Sequence, residues 1–149
     1  MKPVDIHACL ADPTRFRMVH LLLDGPLCVK HFQAVLGLSQ VATSKHLAYL
    51  KRRGLVEVRR NGTLRVYSLP AVRDEVLTAL LRSLAECAAA DPVCQGDQHR
   101  RQLLAEEIQR DVTGHLRAVQ PRRTAARVPE VTAGQGEAWP SVADGPLLD

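Results

Sequence analysis

A helix that carries its own punctuation occupies the stretch from Gly37 to Gly54 (Gly-Leu-Ser-Gln-Val-Ala-Thr-Ser-Lys-His-Leu-Ala-Tyr-Leu-Lys-Arg-Arg-Gly), and it restricts what the rest of the chain can build. Ser39 follows the Gly37 turn as a natural N-cap, because its hydroxyl can accept from a first-turn N–H that has no helical partner. Gly54 supplies the stop. Thr43, Leu47 and Leu50 fall at i, i+4 and i+7 and form one apolar line. Val41, Ser44, Lys45, Ala48 and Arg52 face the other way, with Gln40 and His46 at the margins. That face is small, polar and basic. Small side chains let a helix approach a groove closely, Gln and Ser can hydrogen-bond base edges, and Lys and Arg can meet phosphates. A solvated helix face has the same composition, so the neighbours of this helix decide between the two.

Upstream, Val4 to Leu10 is a short helix that needs a partner surface. Asp12-Pro13 reads as N-cap and first residue of a second helix, with Phe16, Val19, Leu22 and Leu23 as its apolar stripe and Asp24-Gly25-Pro26 as its end. A third helix spans Val29 to Leu36, and Gly37-Leu38-Ser39 turns it into the helix above. Two short helices joined by such a turn make a helix-turn-helix. Downstream, the period changes from 3.6 to 2. Leu55 to Arg60 and Leu64 to Leu69 read as strands, with Asn61-Gly62 as the hairpin signal between them. The expected fold is therefore mainly α with a small β-hairpin wing, a winged helix-turn-helix. Arg59, Arg60 and Arg65 sit near the wing tip, placed to meet a nucleic-acid backbone.

From Pro70 a longer helix carries Val72, Val76, Leu80, Leu84 and Cys87, with Leu77 and Leu81 beside them. This exceeds what a small winged helix needs for its own core, and the surplus is read as the seal of a homodimer. Asp91-Pro92 breaks that helix. Gly96-Asp97 is read as a second break that caps a last helix striped by Leu104, Ile108, Val112 and Leu116. The expected organisation is residues 1–90 as the DNA-binding and dimerisation domain, 91–119 as a helical extension and 120–149 as a disordered tail. A formal charge of +4 permits a nucleic-acid partner, whereas 3% aromatic residues argues against base-stacking recognition of single strands. With neither an apolar run long enough to span a membrane nor a signal-peptide core, the expected location is cytoplasmic, where four cysteines are more readily thiols, sensors or metal ligands than disulfides.

Ala-Asp-Pro-Thr-Arg-Phe-Arg-Met-Val at 11–19, Leu-Cys-Val at 27–29, Leu-Ser-Gln-Val-Ala-Thr-Ser-Lys-His-Leu at 38–47 and Arg-Arg-Asn-Gly-Thr-Leu-Arg-Val-Tyr-Ser-Leu at 59–69 together resemble the ArsR/SmtB family of bacterial metalloregulators. The resemblance runs over residues 4–90. It implies a homodimeric winged-helix repressor on a double-stranded operator with an inverted repeat, released by an inducer that is often a thiophilic metal or metalloid. It also implies that Ser39, Gln40, Ser44 and His46 belong to the recognition motif. With the exposed residues around them, the expected DNA-reading set is Ser39, Gln40, Val41, Ala42, Ser44, Lys45 and His46, joined by Arg59, Arg60 and Arg65 of the wing. Thr43 stands where the family usually places Val or Ile.

The sensing residues depart further from the family pattern. Arsenic-responsive members carry Leu-Cys-Val-Cys-Asp-Leu-Cys, where this chain reads Leu-Cys-Val-Lys-His-Phe-Gln, so Cys28 alone matches. The start of the post-wing helix offers none of the Asp and His ligands of zinc-sensing members. The candidate ligands are thus Cys28, Cys87, Cys94 and Cys9, assembled in space and across a dimer, with As(III) or Sb(III) as inducer because these ions prefer three soft thiolates. Cys28 is expected to be the reactive thiol, its pKa lowered by a helix N-terminus and by Lys30. Thiol oxidation, zinc or cadmium sensing and no metal at all remain open, and each cysteine also suits plain packing. Two other classes compete: an enzyme pairing Cys28 with a histidine, and a winged helix that binds protein instead of DNA.

Overall fold

The computed structural model describes residues 3–71 and 73–113. Helix α1 (Pro3–Leu10) leads into α2 (Pro13–Leu23), the short strand β1 (Leu27–Cys28), α3 (Val29–Leu36) and α4 (Gln40–Arg52). The hairpin β2 (Glu57–Asn61) and β3 (Leu64–Ser68) follows, and then α5 (Glu75–Ala89), α6 (Pro92–Leu103) and α7 (Ala105–Thr113). The sheet is antiparallel in the order β1-β3-β2, with Leu27 opposite Tyr67 and Val58 opposite Tyr67 from the other side. This is a winged helix-turn-helix. None of its helices is long and apolar enough to cross a membrane, among the described residues.

Local chemistry fixes the helix-turn-helix. Asp12 accepts the Arg15 N–H at 2.9 Å and Pro13 opens α2 where a missing N–H costs nothing. Gly37 closes α3 in the left-handed conformation at φ +67°, which a Cβ would disfavour, and its N–H returns to Gln33. Ser39 caps α4 through the Ala42 N–H at 3.2 Å. Thr43, Leu47 and Leu50 are fully buried as their spacing predicts, and the Thr43 hydroxyl donates to the Ser39 carbonyl at 2.8 Å. That bond satisfies the polar atom a Val or Ile would lack, so threonine costs little here.

The core joins Met18, Leu21 and Leu22 of α2, Phe32 and Val35 of α3, Leu47 and Leu50 of α4, and Leu81 and Leu84 of α5. Four expectations need correction. Helix α5 begins at Glu75, capped by Asp74 through the Leu77 N–H at 2.7 Å, and not at Pro70. Its buried line is Leu77, Leu81, Leu84 and Ala88, which leaves Val76 at 45% exposure and Cys87 exposed; Val72 lies outside the described residues. Gly96 and Asp97 lie inside α6 and break nothing. Asp97 is fully buried and receives Arg17 Nε at 2.6 Å, Arg17 Nη2 at 2.7 Å and Arg100 Nη2 at 2.5 Å. Finally, Asn61 is the last residue of β2, paired with Leu64, so the hairpin loop is Gly62-Thr63 with Gly62 at φ +58°.

The C-terminal helices belong to the same packed body. Arg100 Nε donates to the Val35 carbonyl at 2.7 Å, tying α6 to α3. Ile108 of α7 joins the core at 6% exposure, and the buried Asn61 amide donates to the Asp111 carbonyl at 2.8 Å, tying α7 to the wing. Leu116 and the expected tail over 120–149 lie outside the described residues.

Candidate nucleic-acid interface

Helix α4 divides its exposed side into two lines. Gln40, Ser44, Ala48 and Lys51 face the wing across an open groove of about 890 Å³, floored by Cys28, Val29, Lys30 and Gln33 and walled by Val58, Arg60, Thr63, Leu64, Arg65 and Tyr67. Val41, at 79% exposure, and Lys45 form the outward line. The groove contains four cationic side chains and no carboxylate among its lining residues. Such a trough attracts a polyanion, because the low-dielectric walls concentrate the field of the fixed charges. Its amide and hydroxyl on α4, Gln40 and Ser44, are suited to base edges and its cations to phosphates.

Strand period two sorts the wing arginines. Arg60 stands opposite Arg65 and both face the groove, whereas Arg59 stands opposite Val66 on the other face of the hairpin. The expected trio is therefore a pair and an outlier. Ser39 and Gln40 are exposed at the start of α4, and Ala42 is half-buried beside them. His46 leans back toward α2, its Nδ1 4.0 Å from Asp12 Oδ1, and does not line the groove.

Sequence reasoning missed Lys30, Gln33, Lys51 and Thr63. Lys51 lies eleven residues after Gln40 and seven after Ser44, so the helical period alone could have found it. Gln33 was seen only as a replacement for a thiol, and Lys30 as such a replacement and as a charge beside Cys28. They sit three apart on the first turns of α3 and so share its groove-facing side.

On the far side of α4, Tyr49 lies within 4.4 Å of Arg15, 5.5 Å of Arg53 and 5.8 Å of Arg52, ring centroid to guanidinium. Arg15 Nε also donates to the Cys9 carbonyl at 2.7 Å, and Arg53 pairs with Asp5 at 3.1 Å. These contacts hold α1 and α2 against the C-terminal end of α4.

The four cysteines do not converge within one copy of the chain. Cys9 is buried between α1 and its neighbours, Cys28 at the head of α3, and Cys94 in α6, where its thiol donates to Asp91 at 3.3 Å; Cys87 is exposed. Burial pushes the Cys28 thiol above its ordinary value, and the nearby Asp111 carboxylate adds to this more than Lys30 subtracts. The direction expected for Cys28 is thus reversed, because burial at this helix start removes the water that a thiolate needs. Burial and the Asp91 bond push Cys94 up to about 11. Nor does Cys28 form a catalytic pair, because His31 Nδ1 accepts the backbone N–H of Cys28 at 3.0 Å instead of a thiol proton.

Among the described residues, the set of three or more His, Cys, Asp or Glu side chains close enough to share an ion is His31, Glu107 and Asp111. Two observations argue against a preformed metal site. Lys30 Nζ already sits between the carboxylates, 2.7 Å from Asp111 and 3.0 Å from Glu107. Moreover, His31 Nδ1 is an acceptor, so Nε2 carries the ring proton and donates to Asp111 at 2.9 Å; a metal-bound imidazole needs the reverse arrangement. Burial lowers the His31 pKa more than Asp111 raises it, which keeps the ring neutral. The side-chain bond from Lys30 holds the Asp111 carboxyl below its usual range.

The exposed recognition helix, the paired wing arginines and the basic groove between them define a DNA-binding transcription regulator of the winged-helix class. The sequence profile of the bacterial regulatory protein, arsR family, matches residues 12–58. The arsenic resistance transcriptional regulator ArsR1 of Pseudomonas putida is 36% identical over 87 residues, covering 58% of this chain and 68% of that protein. The transcriptional activator HlyU of Vibrio cholerae is 35% identical over 83 residues, covering 56% of this chain and 77% of that one. The solved structure of HlyU from Vibrio cholerae superposes with a TM-score of 0.51 at 32% identity, over 56% of this chain and 88% of that one. The chain belongs to the arsR family of bacterial regulatory proteins.

Proposed function

We propose that the protein is an operator-binding repressor whose reading surface is the groove between α4 and the wing. The observation that carries this is the groove's lining: four cations, three amide or hydroxyl side chains on α3 and α4, and no carboxylate. Gln40 and Ser44 read base edges; Lys51, Arg60 and Arg65 take phosphates; Val41 and Lys45 approach from the outward line. Arg59, Ser39, Ala42 and His46 support this surface from its margins. The functional unit is a homodimer on an inverted repeat. Val76 on α5, Val93 at 51% and Leu103 at 73% exposure on α6 supply apolar surface for the second copy. A winged helix dedicated to protein partners would have no use for a carboxylate-free basic groove. Titration of a duplex library at two salt concentrations tests the reading, and binding that ignores both sequence and salt would refute it.

The effector part of the proposal is a thiophilic species, As(III) or Sb(III), and it rests on the name of the Pseudomonas relative and on ligand chemistry. With the thiols of one copy held apart, a trigonal thiolate site requires cysteines from both copies, and Cys87 is the thiol open to such a contact. Zinc has weaker support, because the His-carboxylate set found among the described residues is filled by Lys30. Operator release by arsenite, with zinc and an oxidant as parallel arms, tests it; retention of the operator under arsenite overturns it.

A further inference from the structure

Among the four cations that line the groove, Lys30 alone has carboxylates of the described residues within ion-pair distance. Both come from α7. Glu107 and Asp111 stand four apart on that helix, so they share one face, and the face is turned to the groove rim. Asp111 is held there from three directions: its side chain takes Lys30 and the His31 Nε2 proton, and its carbonyl takes the Asn61 amide of the wing. The two negative charges thus cannot swing away without giving up the bonds that join α7 to α3 and to β2. Lys30 itself is free to move, its side chain 46% exposed at the end of a flexible four-carbon stem.

We propose that α7 is a built-in brake on DNA binding: Glu107 and Asp111 hold Lys30 as a phosphate would, and so keep one groove cation in reserve. A phosphate entering the groove competes with two carboxylates for the same ammonium. Displacement of α7 delivers that cation to the backbone and removes two negative charges from the rim. The same movement frees the wing at Asn61. This inference rests on the duplex-binding reading above and adds an intramolecular regulator to it.

The test is a double-mutant cycle read by duplex affinity against salt. E107Q/D111N should bind any duplex more tightly than the parent, with a salt slope steeper by about 0.9, so that its advantage grows about 3.5-fold between 200 and 50 mM salt. K30M in the parent should weaken binding, because it leaves two unpaired carboxylates beside the groove, and should not steepen the salt slope. K30M added to E107Q/D111N should remove the extra slope. An extra slope that survives K30M, or no extra slope at all, overturns the brake. E107Q alone retains every bond to Asp111 and should give part of the same gain, so a loss of folding in the double variant does not hide the answer. Failure of the parent to bind any duplex would overturn the brake together with the duplex reading, whereas parent binding with flat variants overturns the brake alone.

Discussion

Cys87 is the cysteine whose thiol meets solvent, and its three counterparts are buried. Since the thiolate is the reacting species, the alkylation order follows from burial and from the cause of each shift. Iodoacetamide at pH 8 should label Cys87 first, with Cys9, Cys28 and Cys94 protected until the chain is unfolded; peptide mapping of a time course checks this, and early labelling of Cys28 would contradict it. The pH dependence is set by His31. Its folded-state pKa lies below the ordinary value of about 6.5, so the unfolded chain binds the proton more readily. The stabilisation is present above that value and is lost as the pH falls through the folded-state pKa. Denaturant midpoints should therefore drop between pH 7.5 and 5.5, and drop less in His31→Gln. Asp111 is also depressed, but its share is lost only below the carboxylate range, which separates the two windows.

At the scale of elements, the two sides of the hairpin should behave differently. Gln40→Ala or Ser44→Ala is expected to weaken cognate binding by about 1–3 kcal/mol and to leave non-specific binding nearly intact. Arg60→Ala or Arg65→Ala should flatten the salt slope by about 0.9, while Arg59→Ala on the outer face should do so less; equal slopes for all three would show that the wing's faces are not distinguished by DNA. What the sequence made legible here follows a physical rule. Helices α2, α3 and α4 begin and end where expected because Asp12, Gly37 and Ser39 act on backbone groups within four residues. The wing turn was read one residue early because Asn61 is withdrawn from it by a bond to Asp111, fifty residues away. The α5 stripe was readable in two phases, Val76-Leu80-Cys87 or Leu77-Leu81-Ala88, and only the position of α2 and α6 selects the second. Asp97 looked like a helix breaker because its partner Arg17 lies 80 residues before it. The exposed face of α4 was legible; the α3 floor of the groove and the α7 contact to it were not, since both depend on long-range packing.

At the scale of the whole molecule, Asp97 joins α2 to α6. Removing it takes away the buried carboxylate that Arg17 and Arg100 share, although both guanidinium side chains keep some access to water. Asp97→Ala should cost about 1.5–3 kcal/mol in a chemical denaturation experiment, because the charged hydrogen bonds are lost while the arginines regain water, and no loss would show that the contact does not hold α2 to α6. Light scattering at micromolar concentration should report a dimer, and a monomer would leave Val76, Val93 and Leu103 without the occupant assigned to them. The wing has two anchors: its root is stitched to β1 through Tyr67 and Val66, and its tip is tied to α7 through Asn61. While α7 is in place, a hairpin fastened at both ends behaves as the fixed jaw of a caliper, with α4 as the other jaw. The gap between them is then a length standard that DNA must meet. Operators should be chosen in part for a groove width that already matches this opening, including at base pairs that no side chain touches, because the bending and widening are left to the duplex.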